Sequence, residues 1–510
     1  MNQGPRRTQT ALAARWAGVL ASVYATVLTA LYLQGAVPRH RPESGWIAAC
    51  VLGLLASLLR GDLTAADSRQ PDATEGARPW RAWTVLVGLS LAAYAGVIGT
   101  GLLSDDFVLL ERAGAGRLTM GNEFYRPLPF LIWSTGQWAG GAAAPLFHLT
   151  NILAHGVNAC LVLAVAGALG LPRASRAVAA GVFALHPVGV EAVAWISAFP
   201  DVLAATGTLL TVLGSVGGSP VTTVVGLAVA MLSKESGVAA PAVAIAVCWA
   251  AGRPLRLPMI GLGAAALFVV GRLWFLPLPD GYLSMPSRYL VKELATRSIG
   301  TLAAPWSLGD MATFGWVLTA ATCAACALVI LAGSRGLVVG RLRVVYAGIA
   351  WALISAAPVY SYLFISEHME GSRYLYLGAA GWALFVGALV STEVESGRAR
   401  RNVALALAGV AMIGSLLVVQ LRQESWRAAA AVRDEVLDSA AEVLGDSRCE
   451  TVAVAGLPDQ VRGAFVFRNG FPEAVRRHVP DVRLVSSGAS CMFGWTSAGF
   501  VLVPPRPPRP

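Results

Sequence analysis

Residues 84–106 read TVLVGLSLAAYAGVIGTGLLSDD, an apolar run closed by two adjacent acids, Asp105 and Asp106. The run 84–103 has the length a helix needs to cross a hydrocarbon core, roughly 20 apolar residues. Two carboxylates at the mouth of such a span are expensive to keep there, and ionisable groups in that position are functional-site candidates by default. The plainer reading, that they only solvate a helix end, has to be weighed against the other polar residues that gather on the same side.

Similar apolar runs recur along the chain. They lie at 16–33, 46–59, 146–169, 177–185, 202–216, 221–232, 238–251, 259–276, 316–332, 344–364, 375–390 and 403–419, which with 84–103 makes about thirteen crossings. The composition agrees: of 510 residues 56% are hydrophobic and only 13% charged, more apolar matter than soluble domains use. The net charge of +10 is no nucleic-acid signature, because the basic residues sit in short hydrophilic connections, as positive-inside topology requires. Arg6, Arg7 and Arg15 put the N-terminus in the cytoplasm, and the first span is read as an anchor rather than a cleaved signal. Alternation then places the basic clusters inside, apart from Arg39 and Arg41, provided that 289–306 lies along the interface instead of crossing. Seven Cys are too scattered for a disulfide scaffold; those at 50, 160, 248, 323 and 326 lie in apolar stretches and read as small hydrophobes.

This topology expects Asp105, Asp106, Arg126, His186, Glu191, Asp201, Lys234, Glu235, Arg288 and Arg373 on one side, the outside. A transporter keeps its polar groups near the bilayer midplane, on broken helices. A cluster at one face suits a reaction on a lipid-borne substrate whose headgroup lies at the interface, with Lys and Arg for a phosphate and an Asp to accept a hydroxyl proton.

The residues that carry this cluster resemble a known family. Asp105-Asp106, Tyr125-Arg126-Pro127-Leu128 and Phe147-His148-Leu149-Thr150-Asn151 are similar to the first outer loop and second core helix of type C glycosyltransferases. The stretch 186–197, HPVGVEAVAWIS, together with Leu232-Ser233-Lys234-Glu235 and Arg373-Tyr374-Leu375-Tyr376-Leu377, resembles the transmembrane O-mannosyltransferases that carry tetratricopeptide repeats and their bacterial relatives. The chain departs from that pattern at Gly189, where a second His is frequent, at Pro200, where a basic residue is frequent, and at Ser372, where an acid is common. No such repeats follow the last span.

The resemblance implies an all-α polytopic membrane protein with a type C glycosyltransferase fold. It implies inverting transfer of a sugar, mannose first among the candidates, from a polyprenyl-phosphate donor to a hydroxyl on a protein, lipid or glycan. Asp105 would be the general base and Asp106 would position it. Arg126, Lys234 and Arg373 would meet the charge growing on the leaving phosphate, and His148, His186, Glu191, Asp201, Glu235 and Arg288 complete the expected donor site. The resemblance makes no cofactor certain and leaves a divalent metal open. Some residues keep a plainer alternative: His186 as a hydrogen-bonded cap, Lys234-Glu235 as a structural ion pair, and His155 as a satisfied buried histidine. The competing class is a flippase or transporter of lipid-linked glycan in the same inner membrane.

Three regions follow from these readings: 1–83, two accessory spans and a cytoplasmic linker; 84–420, the membrane core; and 421–510, a small extracytoplasmic α/β domain. In the last, 427–444 reads as an amphipathic helix, 451–457, 482–486 and 500–503 as strands, and 470–479 as a helix. Cys449 and Cys491 are its only cysteines, and outside the cytoplasm a disulfide between them is expected. The tail 504–510 is Pro/Arg-rich.

Overall fold

The computed structural model describes residues 79–117, 124–141, 143–275, 295–306, 317, 339–366, 368–395, 397–445, 449–480, 482–486, 488–496 and 499–503. The first two expected spans, nearly all of the one at 316–332, most of the cytoplasmic linker, Arg288, Cys50, Cys323, Cys326 and the Pro/Arg tail lie outside these residues.

Helices dominate: α1 (Pro79–Tyr94), α2 (Asp105–Gly114), α3 (Pro127–Gly140), α4 (Ala144–Ala168), α5 (Arg173–Leu185), α6 (Gly189–Ala194), α7 (Phe199–Gly217), α8 (Pro220–Ser233), α9 (Ala240–Ala250), α10 (Arg256–Phe275), α11 (Val339–Ala356), α12 (Tyr376–Glu395) and α13 (Arg398–Ser439). Among the described residues, six helical stretches are long and apolar enough to cross a membrane: Ala144–Ala168, Ile196–Gly217, Arg256–Phe275, Arg341–Tyr360, Ser372–Ser391 and Arg398–Leu444. The chain is therefore a helical multi-pass membrane protein. Leu267, Trp274 and Phe275 of α10 are 76–82% exposed, a surface that lipid solvates and water would not.

Helices approach closely where side chains are smallest. A Cβ on Gly207 or Gly214 of α7, or on Gly226 of α8, would lie 2.2–2.4 Å from the backbone of the facing helix. Gly348 of α11 and Gly381 of α12 are similarly pressed together. In lipid there is no hydrophobic drive to join two apolar helices, so backbone-to-backbone contact of this kind supplies the packing.

Two helices depart from the sequence reading. The first expected core span, 84–103, stops being helical at Tyr94 and continues as a 3-10 turn, Ala95–Val97, and an irregular loop to Ser104. The carbonyls freed by that break are taken by side-chain donors of α13: Gln420 and Gln423 donate to Ala93 O, and Arg433 to Thr100 O and Leu102 O at 2.6 and 2.8 Å. The separate amphipathic helix expected at 427–444 is the continuation of α13. No Gly or Pro interrupts residues 415–444, so the helix carries straight on for 42 residues, about 63 Å, roughly twice a hydrocarbon core.

The far end of α13 carries a small α/β unit. Strand β1 (Val452–Ala455) pairs in parallel with β4 (Cys491–Thr496), and β4 pairs antiparallel with β5 (Gly499–Val503). A two-stranded ribbon, β2 (Gln460–Val461) with β3 (Ala464–Phe465), and the helix α14 (Phe471–His478) complete it. Cys449 and Cys491 form the expected disulfide. Strand β4 was not foreseen, and 482–486 contributes one isolated bridge, Val452 to Leu484, instead of a strand.

Candidate functional site

Asp105 and Asp106 open α2, and their adjacency on a helix sends their side chains to different places. Asp106 is 1% exposed. Its Oδ2 accepts from Leu103 N–H at 2.9 Å, and its Oδ1 from the N–H and Oγ–H of Ser197 at 2.8 and 2.5 Å. Asp105 stays partly exposed and accepts at Oδ1 from the Nδ2 of Asn469, at 2.6 Å. One acid of the pair thus builds the loop, and the other faces an open groove of about 510 Å³ lined by Asp105, Leu109, Arg112 and the segment 467–473.

The stretch 186–197 is the hub that brings the other residues in. It is buried throughout. His186 Nε2 meets Leu302 O at 3.0 Å, Glu191 meets Arg373, Trp195 Nε1 donates to Leu103 O at 3.2 Å, and Ser197 holds Asp106. The short helix α6 sets this spacing, placing Glu191 in its middle and Trp195 at its end. Asn151 of α4 donates to Trp195 O at 2.9 Å and fixes the exit.

Three cations of the expected donor site are each paired with an acid of the same set. Arg126 lies against Glu235 through Nε and Nη2, the closest contact being 2.7 Å. Lys234 Nζ contacts both oxygens of Asp201 at 2.5 and 2.6 Å. Arg373 pairs with Glu191, whose other oxygen accepts from Arg373 N–H and Ser372 Oγ–H. Neighbours Lys234 and Glu235 reach different partners because the chain is extended at Lys234 (φ −159°, ψ 152°), where α8 gives way to a 3-10 turn. Charges this deep are tolerable only when paired and hydrogen-bonded. Tyr374 joins two of the pairs: Lys234 Nζ lies 4.9 Å and the Arg373 guanidinium 4.6 Å from its ring centre, and Arg373 Nη2 donates to its hydroxyl. Arg373 also stands over Trp195 and over Phe465 of the C-terminal unit, at 5.0 and 5.8 Å. Arg373, the acid pair and the C-terminal unit therefore share one end of the bundle, whatever the number of crossings.

The two histidines of the expected donor site are engaged with protein groups. His148 Nε2 lies 3.2 Å from Thr100 Oγ1 and 3.0 Å from Gly101 O, where it braces the loop before the acids. His186 occupies the C-cap of α5, with Nδ1 facing Val188 N–H, which is the cap of its two readings. His155 is satisfied by Tyr376 Oη and Ala184 O inside the bundle. Trp195, Ser197, Tyr374, Arg433 and Asn469 were not singled out by sequence. The first three stand in the quoted motifs and were open to selection there; Arg433 and Asn469 carry no sequence signal. Among the described residues no three His, Cys, Asp or Glu side chains converge as a metal site would need.

Burial is the main influence on Asp106 and pushes its carboxyl up to about 7, against the pull of the Ser197 and Leu103 donors. A carboxyl held above its ordinary 3.8 favours the folded state when protonated, so its contribution is complete below about pH 4 and is lost as pH rises toward 7. In detergent, the stability gap between the natural protein and Asp106→Asn is expected to narrow between pH 4 and pH 7. A gap that does not change over that range would mean that the folded Asp106 carboxyl is not raised above its ordinary value. The amide must also turn an N–H toward the Leu103 or Ser197 donors, so Asp106→Asn is a structural lesion.

No family model, curated protein or solved structure shows significant similarity to this chain.

Proposed function

We propose that the chain is a membrane glycosyltransferase of the type C kind. It transfers a sugar, mannose first among the candidates, from a polyprenyl phosphate to a hydroxyl acceptor at the extracytoplasmic face of the inner membrane. This reading keeps about thirteen crossings, with the acid pair and the C-terminal unit outside.

The observation that carries it is the split fate of the acid pair beside three gathered cations. Asp106 is consumed in holding the loop to Ser197. Asp105 is left at the groove, on the same end of the bundle as Arg373 and Lys234. In the reaction Asp105 takes the proton of the acceptor hydroxyl as its oxygen attacks the anomeric carbon. The bond from that carbon to the phosphate oxygen breaks with inversion, and the electron pair leaves on the lipid phosphate. Arg373 has five N–H donors and can keep Glu191 while adding a phosphate oxygen; Lys234 supplies a point charge beside it. A transporter would not need a carboxylate held apart at one end.

The test is product analysis. Membranes containing the protein, supplied with radiolabelled polyprenyl-phosphate mannose, are expected to move label into an acceptor fraction resistant to the mild acid that cleaves the donor. Label that only changes leaflet and remains on the polyprenyl phosphate would overturn the reading in favour of a flippase.

A further inference from the structure

We propose that the C-terminal unit completes the active site, with Asn469 the positioning residue that orients the Asp105 carboxylate toward the acceptor. This rests on the glycosyltransferase reading for its meaning, while the geometry itself is independent of it.

Ser104, the residue before the acid pair, has φ 50° and ψ −118°, a strained backbone for a residue with a side chain. Such strain, about 1–3 kcal/mol, persists only where the surroundings over-determine it, and it clusters at functional sites. The surroundings here are the C-terminal unit. Ser104 N–H donates to Val466 O at 2.9 Å, and Ser104 Oγ accepts from Asn469 N–H at 3.3 Å. Gly470, at φ +83°, comes so close that a Cβ on it would lie 2.3 Å from Ser104 O. Phe107 stacks on Phe467 at 6.4 Å between ring centres, and Arg476 pairs with Glu111 of α2 at 3.0 Å. Asn469 then reaches over this clamp to Asp105 with Nδ2 at 2.6 Å. The amide occupies one oxygen of Asp105 and leaves the other to accept a proton. The groove runs between α2 and the same 467–473 segment, so an acceptor entering it passes the Asn469–Asp105 pair. A general base free to rotate would spend little time in the attacking geometry, and a misplacement of about 1 Å costs roughly 10²-fold.

The experiment compares the full-length protein, Asn469→Ala and Asn469→Asp in native membranes, with polyprenyl-phosphate mannose as donor and the acceptors of those membranes. Intact Cys449–Cys491 disulfide and unchanged protease resistance select folded variants. Asn469→Ala is expected to lower kcat roughly 10²-fold with donor KM unchanged, since the phosphate site is elsewhere. Asn469→Asp is expected to retain activity at acid pH, where the introduced acid is protonated and donates as the amide did. It should lose that activity as the pH rises and two like charges meet. A folded Asn469→Ala with full kcat, or a folded Asn469→Asp as inactive at acid as at neutral pH, would overturn the proposal. Carbodiimide labelling of Asp105, read by mass spectrometry, separates the two levels of the argument. Labelling that rises several-fold in Asn469→Ala while no variant transfers sugar would support the positioning and defeat the glycosyltransferase reading. Labelling unchanged by the substitution would defeat the positioning itself.

Discussion

Asp105→Asn is expected to reduce sugar transfer roughly 10³-fold, within the range a general base contributes, while the protein inserts and folds as before. The asymmetry of the acid pair is what makes this selective. Asp105 is partly exposed and hydrogen-bonds Asn469 at the groove wall, so an isosteric amide removes the proton acceptor without opening a buried network. Its neighbour offers the contrast, because Asp106 is buried with three donors aimed at it. Donor affinity should stay close to that of the natural protein in Asp105→Asn, since no donor-holding cation touches Asp105 among the described contacts. Turnover of the purified Asp105→Asn protein at the natural rate would remove Asp105 as the base.

Arg373→Ala should be the most damaging single change to stability and donor binding together. Glu191 is 2% exposed, and losing its partner leaves a buried carboxylate uncompensated, a cost of about 3–5 kcal/mol. The guanidinium also stacks over Trp195, Tyr374 and Phe465, so the change opens the seam between the membrane bundle and the C-terminal unit. Pairing Arg373→Met with Glu191→Gln separates the two effects. The glutamine keeps an oxygen for Arg373's own N–H position and for Ser372, and neither residue is then charged, so much of the stability should return. Binding of polyprenyl-phosphate mannose, followed by filter binding of the labelled lipid, should not return. Recovery of donor affinity in the double variant would move the phosphate site to Arg126 or Arg288.

The motifs of the sequence proved to be parts of one assembly. Six residues expected at the donor site close into three mutual ion pairs, Arg126 with Glu235, Lys234 with Asp201 and Arg373 with Glu191, although 33 to 182 positions separate the partners. Sequence could select them because charged residues are rare in apolar surroundings and therefore conspicuous. It could not pair them, since pairing depends on which helix ends meet. Nor could it separate Asp105 from Asp106: adjacent carboxylates are chemically identical until one is buried against Ser197.

Amino-acid order alone dictates the solvent and the class of this chain. Apolar runs of helical length, and the cost of an unsatisfied backbone in lipid, leave helices as the way for this chain to cross a membrane. The single pair of cysteines in its polar C-terminal stretch also foretold the bridge that closes there. Tertiary packing alone ends α1 at Tyr94, because the side chains that donate to the carbonyls of its broken end are those of Gln420, Gln423 and Arg433, more than 300 residues away. Only it decided that the C-terminal unit clamps Ser104 and sets Asn469 on Asp105, contacts across 364 and 365 positions that no local pattern encodes. Helix length and apolar period are local properties of a chain, whereas the loops that join its helices take their shape from whatever neighbours satisfy their polar groups.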